Sequence, residues 1–361
     1  MPKLDLKNLT RAQLTDYVRE LGWSPYRANQ IFSWLYRPGI TDFAQMTDLA
    51  KSARAELAAK TEISRLTPEK KEVSGDGTIK YAFRLADGQL IESVLIPEED
   101  RNTLCVSSQV GCAMGCRFCL TGSMGFKRNL TPAEIVGQIC AVREDLPLEM
   151  CPGTDRRNGC LTNLVFMGMG EPLANFDNLL VALEIITDQL GLDFSGRRVT
   201  VSTCGLLPRM RELGEKTAVN LAVSLHSVDN GVRSQLMPVN DKYPVEALLE
   251  ECRRYPMPSR RMIMFEYILI KDLNDSDADA KELARKLAGM RCKINLLPFN
   301  PCPGLPYAQP SRARIEAFQK ILWAAGFTVF IRFSRGSDIS AACGQLADRI
   351  SAVEQAVTEE E

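Results

Sequence analysis

The 361-residue chain holds a single histidine, His226. One imidazole cannot build a histidine-rich metal site, and structural zinc wants four Cys or His ligands in paired C-x2–4-C spacing. Net charge is −1, so the overall basic excess of a non-specific nucleic-acid binder is missing. That charge permits an RNA partner without demanding one. No run approaches the roughly 18 apolar residues of a membrane span, and Met1-Pro2-Lys3-Leu4-Asp5 lacks the apolar core of a signal peptide. The expected setting is cytoplasmic, with no membrane partner. Internal repeats and low-complexity tracts are also absent.

Against these absences stand 12 cysteines, which without a secretion signal argue for metal or redox use and not for a disulfide scaffold. Three of them form Cys112-Ala113-Met114-Gly115-Cys116-Arg117-Phe118-Cys119, after Leu104-Cys105-Val106 and beside Gly111 and Gly122. The spacing is C-x3-C-x2-C with no fourth cysteine nearby. Iron–sulfur clusters are held by cysteine thiolates, and a cubane with three protein thiolates keeps one iron open to another ligand. Zinc would need a fourth ligand that the neighbourhood lacks. A redox C-x-x-C would use Cys116 and Cys119 and leave Cys112 idle.

Composition is that of an ordinary globular protein, 45% hydrophobic and 25% charged. Residues 1–63 read as a helical accessory domain: Thr10 with Gln13 forms a capping box ahead of Leu14, Tyr17, Val18 and Leu21, and Pro25 opens a second segment. Residues 64–97 read as a β-meander linker turning at Asp87-Gly88. Residues 98–349 alternate apolar strands (103–109, 162–167, 198–203, 219–225, 263–270, 292–297, 328–333) with amphipathic helices, which predicts a parallel α/β sheet, open or closed into a barrel. Residues 350–361 form an acidic tail expected to be disordered. Residues 1–60 carry nine Lys/Arg against six Asp/Glu, a local basic excess that points to an RNA-facing role for this segment.

The positions able to carry chemistry follow strands. They are the cysteine triplet, Gly168-Met169-Gly170-Glu171-Pro172, Ser202-Thr203-Cys204-Gly205, Ser224-Leu225-His226-Ser227 and Pro298-Phe299-Asn300-Pro301. All five would meet at the C-terminal rim of one parallel sheet, where loops build sites. Taken alone, Gly170 reads as a turn glycine, Asn300 as a turn former and Cys105 as an inert buried thiol.

With those segments in view, and with Cys105-Val106-Ser107-Ser108-Gln109-Val110-Gly111-Cys112 and Arg335-Gly336-Ser337-Asp338-Ile339-Ser340-Ala341-Ala342-Cys343-Gly344-Gln345-Leu346, the chain resembles the radical S-adenosylmethionine (SAM) ribosomal RNA adenine-C2 methyltransferases, the RlmN family, nearly end to end. The resemblance implies a partial (β/α)6 barrel core with an N-terminal helical accessory domain. It implies one 4Fe-4S cluster on Cys112, Cys116 and Cys119 with SAM on the open iron, and SAM contacts at Gly170, Glu171, Ser202, Ser224, Leu225, His226 and Asn300. His226 is not expected to act as a base.

Adenine C2 is electron-poor and cannot attack the methyl of SAM directly. The resemblance implies a relay using two SAM molecules per turnover. Cys343 is methylated by the first; a 5′-deoxyadenosyl radical from the second takes hydrogen from that methyl. The methylene adds to C2, Glu92 removes the C2 proton, and Cys105 releases the product through a transient Cys105–Cys343 disulfide. On the residues alone, Glu92 could equally be an outward-facing strand carboxylate. The implied substrates are adenine 2503 of 23S rRNA, before full ribosome assembly, and adenine 37 of tRNAs. The implied electron donor is a flavodoxin- or ferredoxin-type protein, and the expected state is a monomer. The nearest rival is a C8 adenine methyltransferase of the Cfr type, which shares the cluster and both cysteines. A rival from another class, a non-catalytic iron–sulfur RNA-binding protein, would need neither an open iron nor Cys343.

Overall fold

The structure, a computed structural model, describes residues 3–147, 150–151, 160–301 and 304–346. The acidic tail, Arg156-Arg157 and Cys302 lie outside the described residues. Strand β1 (Leu4–Asp5) pairs in parallel with β2 (Thr61–Glu62), tying together the ends of a three-helix module of α1 (Arg11–Glu20), α2 (Tyr26–Leu35) and α3 (Lys51–Lys60). The capping box forms as expected: the Gln13 amide nitrogen donates to Thr10 Oγ1 at 3.2 Å and Thr10 N donates to Gln13 Oε1 at 2.8 Å. Leu14, Val18, Ala28, Ile31 and Phe32 are fully buried, so the helical spacing of apolar residues makes this module's core.

The rest is organised by one ten-stranded sheet, in the order β14-β13-β12-β11-β10-β9-β6-β5-β4-β3. Its antiparallel part is β3 (Pro68–Val73), β4 (Ile79–Arg84), β5 (Leu90–Glu98) and β6 (Arg101–Cys105). The meander is therefore no separate linker; its strands extend the catalytic sheet by direct hydrogen bonding. The short hairpin β7 (Gln109–Gly111) and β8 (Phe126–Asn129) stands apart and frames the cysteine loop. The parallel part continues from β6 through β9 (Asn163–Phe166), β10 (Val199–Thr203), β11 (Asn220–Ser224), β12 (Ile263–Leu269), β13 (Cys292–Pro298) and β14 (Thr328–Ile331). All seven strands expected from the apolar runs are present.

Between them lie α4 (Leu120–Ser123), α5 (Pro132–Asp145), α6 (Phe176–Thr187), α7 (Leu207–Lys216), α8 (Asn230–Leu236), α9 (Val239–Lys242), α10 (Val245–Arg254), α11 (Asp277–Leu287) and α12 (Arg312–Ala324). The short pair α8 and α9 was not legible in the sequence: at seven and four residues they show too few turns for a periodic stripe.

Register assigns each strand residue to a face, because paired residues point the same way and neighbours along a strand alternate. Leu104, Leu164, Val201, Leu221, Phe265, Ile294 and Val329 fall on one face and are buried. The opposite, concave face carries Cys105, Val165 and Thr200, then Ser202, Ala222 and Met264, then Ser224, Glu266, Asn295 and Phe330. Glu92 shares it, two residues from Val94, the partner of Cys105. The sheet thus sorts the polar positions into one chamber.

Candidate active site

The cysteine loop leaves β7 at Gly111, where φ is +71° and an added Cβ would lie 1.9 Å from the Gly125 carbonyl oxygen. Only glycine fits so close a crossing. Gly115 is also left-handed, φ +63°, and an added Cβ at Gly122 would press on the Cys116 backbone at 2.9 Å. These glycines curl the loop so that its cysteines face a common space; Cys119 N donates to Cys116 O at 3.2 Å. None of the three is in a disulfide. Burial pushes the Cys112 thiol up to about 11, and the fields of Glu171 and Cys119 add to it. Burial raises Cys116 further, reinforced by Cys119 and Cys112.

The Gly168–Pro172 loop reaches this space from β9. Cβ atoms at Gly168 and Gly170 would lie 2.6 Å from Ser107 Oγ and 2.5 Å from Gln109 Cβ, and Gly170 has φ +96°. These are close-approach glycines, more constrained than the turn positions that the sequence alone suggested. Glu171 is buried and its carboxylate is held by backbone donors: Oε1 accepts from Leu173 N at 3.0 Å and Oε2 from Cys204 N at 2.8 Å. Burial raises its pKa, and those backbone donors oppose the rise. The Glu171 N–H donates to Gln109 Oε1 at 2.8 Å and also lies near the Cys112 sulfur, so this loop is tied to the strand that precedes the cysteines.

Ser202 and Ser224 sit half-buried at strand ends on the concave face, with Leu225 and His226 just beyond. His226 is left-handed, φ 59°. Its Nδ1 accepts from Ile268 N at 3.0 Å, and its ring meets Phe118 edge-on at 4.8 Å. Burial and the Arg233 charge push its pKa down to about 3. A neutral, packed imidazole whose Nδ1 already accepts a hydrogen bond is poorly placed to take a proton. Asn300 Nδ2 donates to the Cys343 carbonyl at 3.1 Å, so it anchors the C-terminal loop.

Arg233 was missed by the sequence reading, which had no reason to separate it from the other arginines. It is fully buried on α8. Nε donates to Leu225 O at 3.0 Å, Nη1 to Asn240 Oδ1 at 3.0 Å, and Nη2 to Cys204 O and Ser224 O at 2.8 and 3.2 Å. One guanidinium so ties together three strand-end carbonyls beneath the cysteine loop. Among the described residues no carboxylate is ion-paired with it. Its field instead reaches Cys116 and Cys204, whose thiol pKa values it lowers.

The C-terminal loop lays Cys343 over this floor. Leu120 N donates to Gly344 O at 2.8 Å and Thr121 Oγ1 to Leu346 O at 2.6 Å. A Cβ at Gly344, φ +81°, would sit 3.1 Å from Phe118 O. Upstream, Ser74 Oγ donates to Asp338 Oδ1 at 2.6 Å and Arg335 Nη2 to Asp76 O at 2.6 Å, so the segment clasps the β3–β4 turn. Cys343 is exposed, and the elements that carry Glu266 and Cys119 approach it closely. Burial pushes its thiol up to about 11, with the fields of Glu266 and Cys119 adding. Cys105 is also raised by burial and then by Cys343; both are thiols outside any disulfide. The fold thus brings Cys105, Cys119 and Glu266 each within electrostatic reach of Cys343.

Two further chamber groups were not foreseen. Glu266 accepts from Asn295 Nδ2 at 2.8 Å, and burial pushes its carboxyl up to about 7, against the opposing pull of Asn295 and Arg332. Lys80, buried on β4, pairs at 3.2 Å with both Glu92 and Glu72. Glu92 is therefore not the outward-facing carboxylate of the bland alternative. Elsewhere Cys151 and Cys160 form a disulfide, a pairing for which their spacing gave no signal.

The donor set fits an iron–sulfur cluster. Among the described residues no three His, Cys, Asp or Glu side chains converge on a single-ion site, and a cubane needs no such point because its thiolates attach to different irons. Three mutually coupled thiols, whose protons leave on metal binding, include Cys116, which feels a buried guanidinium that can offset part of the resulting negative charge. Cys112, Cys116 and Cys119 would hold the cluster.

Comparison with known proteins agrees with this geometry. Residues 4–63 match the model of the ribosomal RNA large subunit methyltransferase N-terminal domain, and residues 106–284 match that of the radical SAM superfamily. A dual-specificity RNA methyltransferase RlmN from Desulfotalea psychrophila is 57% identical over 96% of this chain and 95% of its own length. Its namesake from Geobacter sulfurreducens is 52% identical over 97% and 94%. The crystal structure of a radical SAM methyltransferase from Sphaerobacter thermophilus superposes with a TM-score of 0.86 at 46% identity, covering 95% of this chain and 98% of that one.

Proposed function

The chain belongs to the dual-specificity RNA methyltransferase RlmN family, and from that premise we propose that it methylates C2 of adenine in 23S rRNA and tRNA through its own Cys343. The observation that carries this reading is the placement of Cys343 on the chamber wall, docked on the cysteine loop and coupled electrostatically to Cys105 and Cys119. A protein that merely held a cluster would have no use for a second thiol pair there. When bound, the cluster and SAM supply a methyl group and reductive cleavage of the sulfonium.

The chain's residues supply the rest. Cys343 gives up its proton and carries the methyl carbon as a thioether. Glu92, held by Lys80, takes the proton from adenine C2. Cys105, as thiolate, attacks the Cys343 sulfur. An S–S bond forms and the Cys343 S–C bond breaks. Its electron pair stays with the departing carbon, which takes up a proton, the one Glu92 holds, to become the C2 methyl, while the unpaired electron left by methylene addition would return to the bound cluster. Reduction of that disulfide by an external thiol restores both cysteines. Gly170 and Glu171, Ser202, Ser224, Leu225, His226 and Asn300 line the SAM position. A flavodoxin- or ferredoxin-type donor, a monomeric state and a cytoplasmic setting complete the reading; no helix among the described residues is long and apolar enough to cross a membrane. Residues 4–63, in this reading, are an RNA-contacting accessory unit.

The test is Cys105→Ala. Without the resolving thiol, the Cys343-to-RNA bond has no partner to break it, and a covalent protein–RNA adduct should accumulate and survive denaturation. Multiple turnover by this variant with no adduct would remove Cys105 from the reaction.

A further inference from the structure

Strand β14 is one of the two edge strands of the sheet among the described residues, and two phenyl rings stand open to water beside it. Phe330 is 41% exposed and Phe333 is 51% exposed. Each lies under a guanidinium: Arg332 Cζ is 5.3 Å from the Phe330 ring centre and Arg312 Cζ is 5.9 Å from that of Phe333. Phe330 shares its row with Ser224, Glu266 and Asn295, so it faces the chamber, whereas Val329 is buried on the opposite face. The charge of Arg332 reaches Glu266.

Large exposed apolar rings at a sheet edge invite association, and edges without function are usually blunted by charge or proline. A flat ring with a cation above it is also a surface on which an unpaired base stacks, and it tolerates any base because all have a π face. Charge selects between the possible occupants. A second copy docking here symmetrically would set Arg332 and Arg312 against themselves, an unfavourable like-charge contact. A polyanion gains from both. Arg312 also pairs with Glu316 at 2.8 Å, an exposed contact of little net strength that a phosphate can replace.

We propose that Phe330 and Phe333, with Arg332 and Arg312, form a stacking platform at the chamber's open edge for unpaired RNA bases flanking the target adenine. This rests on the reading of the chain as an RNA methyltransferase. It assigns to that site a contact surface distinct from the cluster and SAM residues.

The test measures the affinity of the full chain for a fluorescein-labelled tRNA anticodon stem-loop by anisotropy, across a salt series. Phe330→Ala/Phe333→Ala is compared with Phe330→Leu/Phe333→Leu, which keeps apolar bulk and loses the π faces; thermal melting identifies any variant that fails to fold, and the leucine pair then decides. Each lost stack weakens binding by at least about fivefold. The slope of affinity against salt stays unchanged, because a phenyl ring neutralises no phosphate. Wild-type affinity retained in the folded leucine pair overturns the platform. So does a sedimentation change from dimer to monomer in these variants with RNA affinity intact, which assigns the rings to self-association. A wild-type chain that binds no RNA overturns the underlying reading instead.

Discussion

Replacing Glu266 with glutamine removes a buried charge while keeping the oxygen that accepts from Asn295 Nδ2. The carboxyl stands at about 7 against an ordinary 4.5 because burial disfavours its ionised form. A group raised in the folded state stabilises fully below its unfolded pKa, and that contribution fades as pH rises through the folded pKa. Between about pH 4.5 and 7 the native protein therefore loses up to about 3 kcal/mol, from roughly 2.5 pH units at 1.36 kcal/mol each. Glu266→Gln carries no such penalty. Urea unfolding of metal-free protein at a series of pH values should show the variant level with wild type near pH 5 and ahead by about 2–3 kcal/mol near pH 8. The same change removes the carboxylate whose field helps raise Cys343, so the alkylation midpoint of Cys343, followed by peptide mass, should move to lower pH. A stability difference that does not vary with pH, or one that favours wild type at pH 8, would refute an ionisable buried Glu266.

Gly170→Ala should destabilise the fold by about 2–4 kcal/mol, because φ +96° and a Cβ 2.5 Å from Gln109 Cβ both oppose any side chain; chemical denaturation checks it, and a neutral result would mean the loop has room. Arg233→Met should lose roughly 3–5 kcal/mol, since it leaves the carbonyls of Cys204, Ser224 and Leu225 buried without their donor. Arg233→Lys should recover part of that loss, and a methionine variant as stable as wild type would contradict the assigned role.

Much of the fold was legible because near-continuous apolar runs announce buried parallel strands, and Gly, Pro and capping residues mark their ends. All seven parallel strands and the capping box at Thr10 follow from such local signals. The continuity of the meander with the barrel sheet was not legible, because pairing of β5 with β6 is settled by register, not by any short pattern. At the site, cysteine spacing and loops after strands gave the right neighbourhood. What they could not give is which side of a residue faces the chamber. Glu171 looked available and turns its carboxylate onto backbone donors; Arg233 and Glu266 looked like ordinary charges and lie buried at the centre. Both owe their place to helix packing and strand parity around positions that carry no motif.

The central claim is that the transferred carbon passes through Cys343. It is tested most directly by turnover under anaerobic conditions with methyl-deuterated SAM, reductant and an rRNA fragment, followed by nucleoside mass spectrometry. Labelled 2-methyladenosine lacking one of the methyl deuteriums is the predicted product, since a hydrogen must leave the Cys343-bound methyl before the carbon reaches C2. A product retaining all three deuteriums, or formed at full yield by Cys343→Ala, would contradict it.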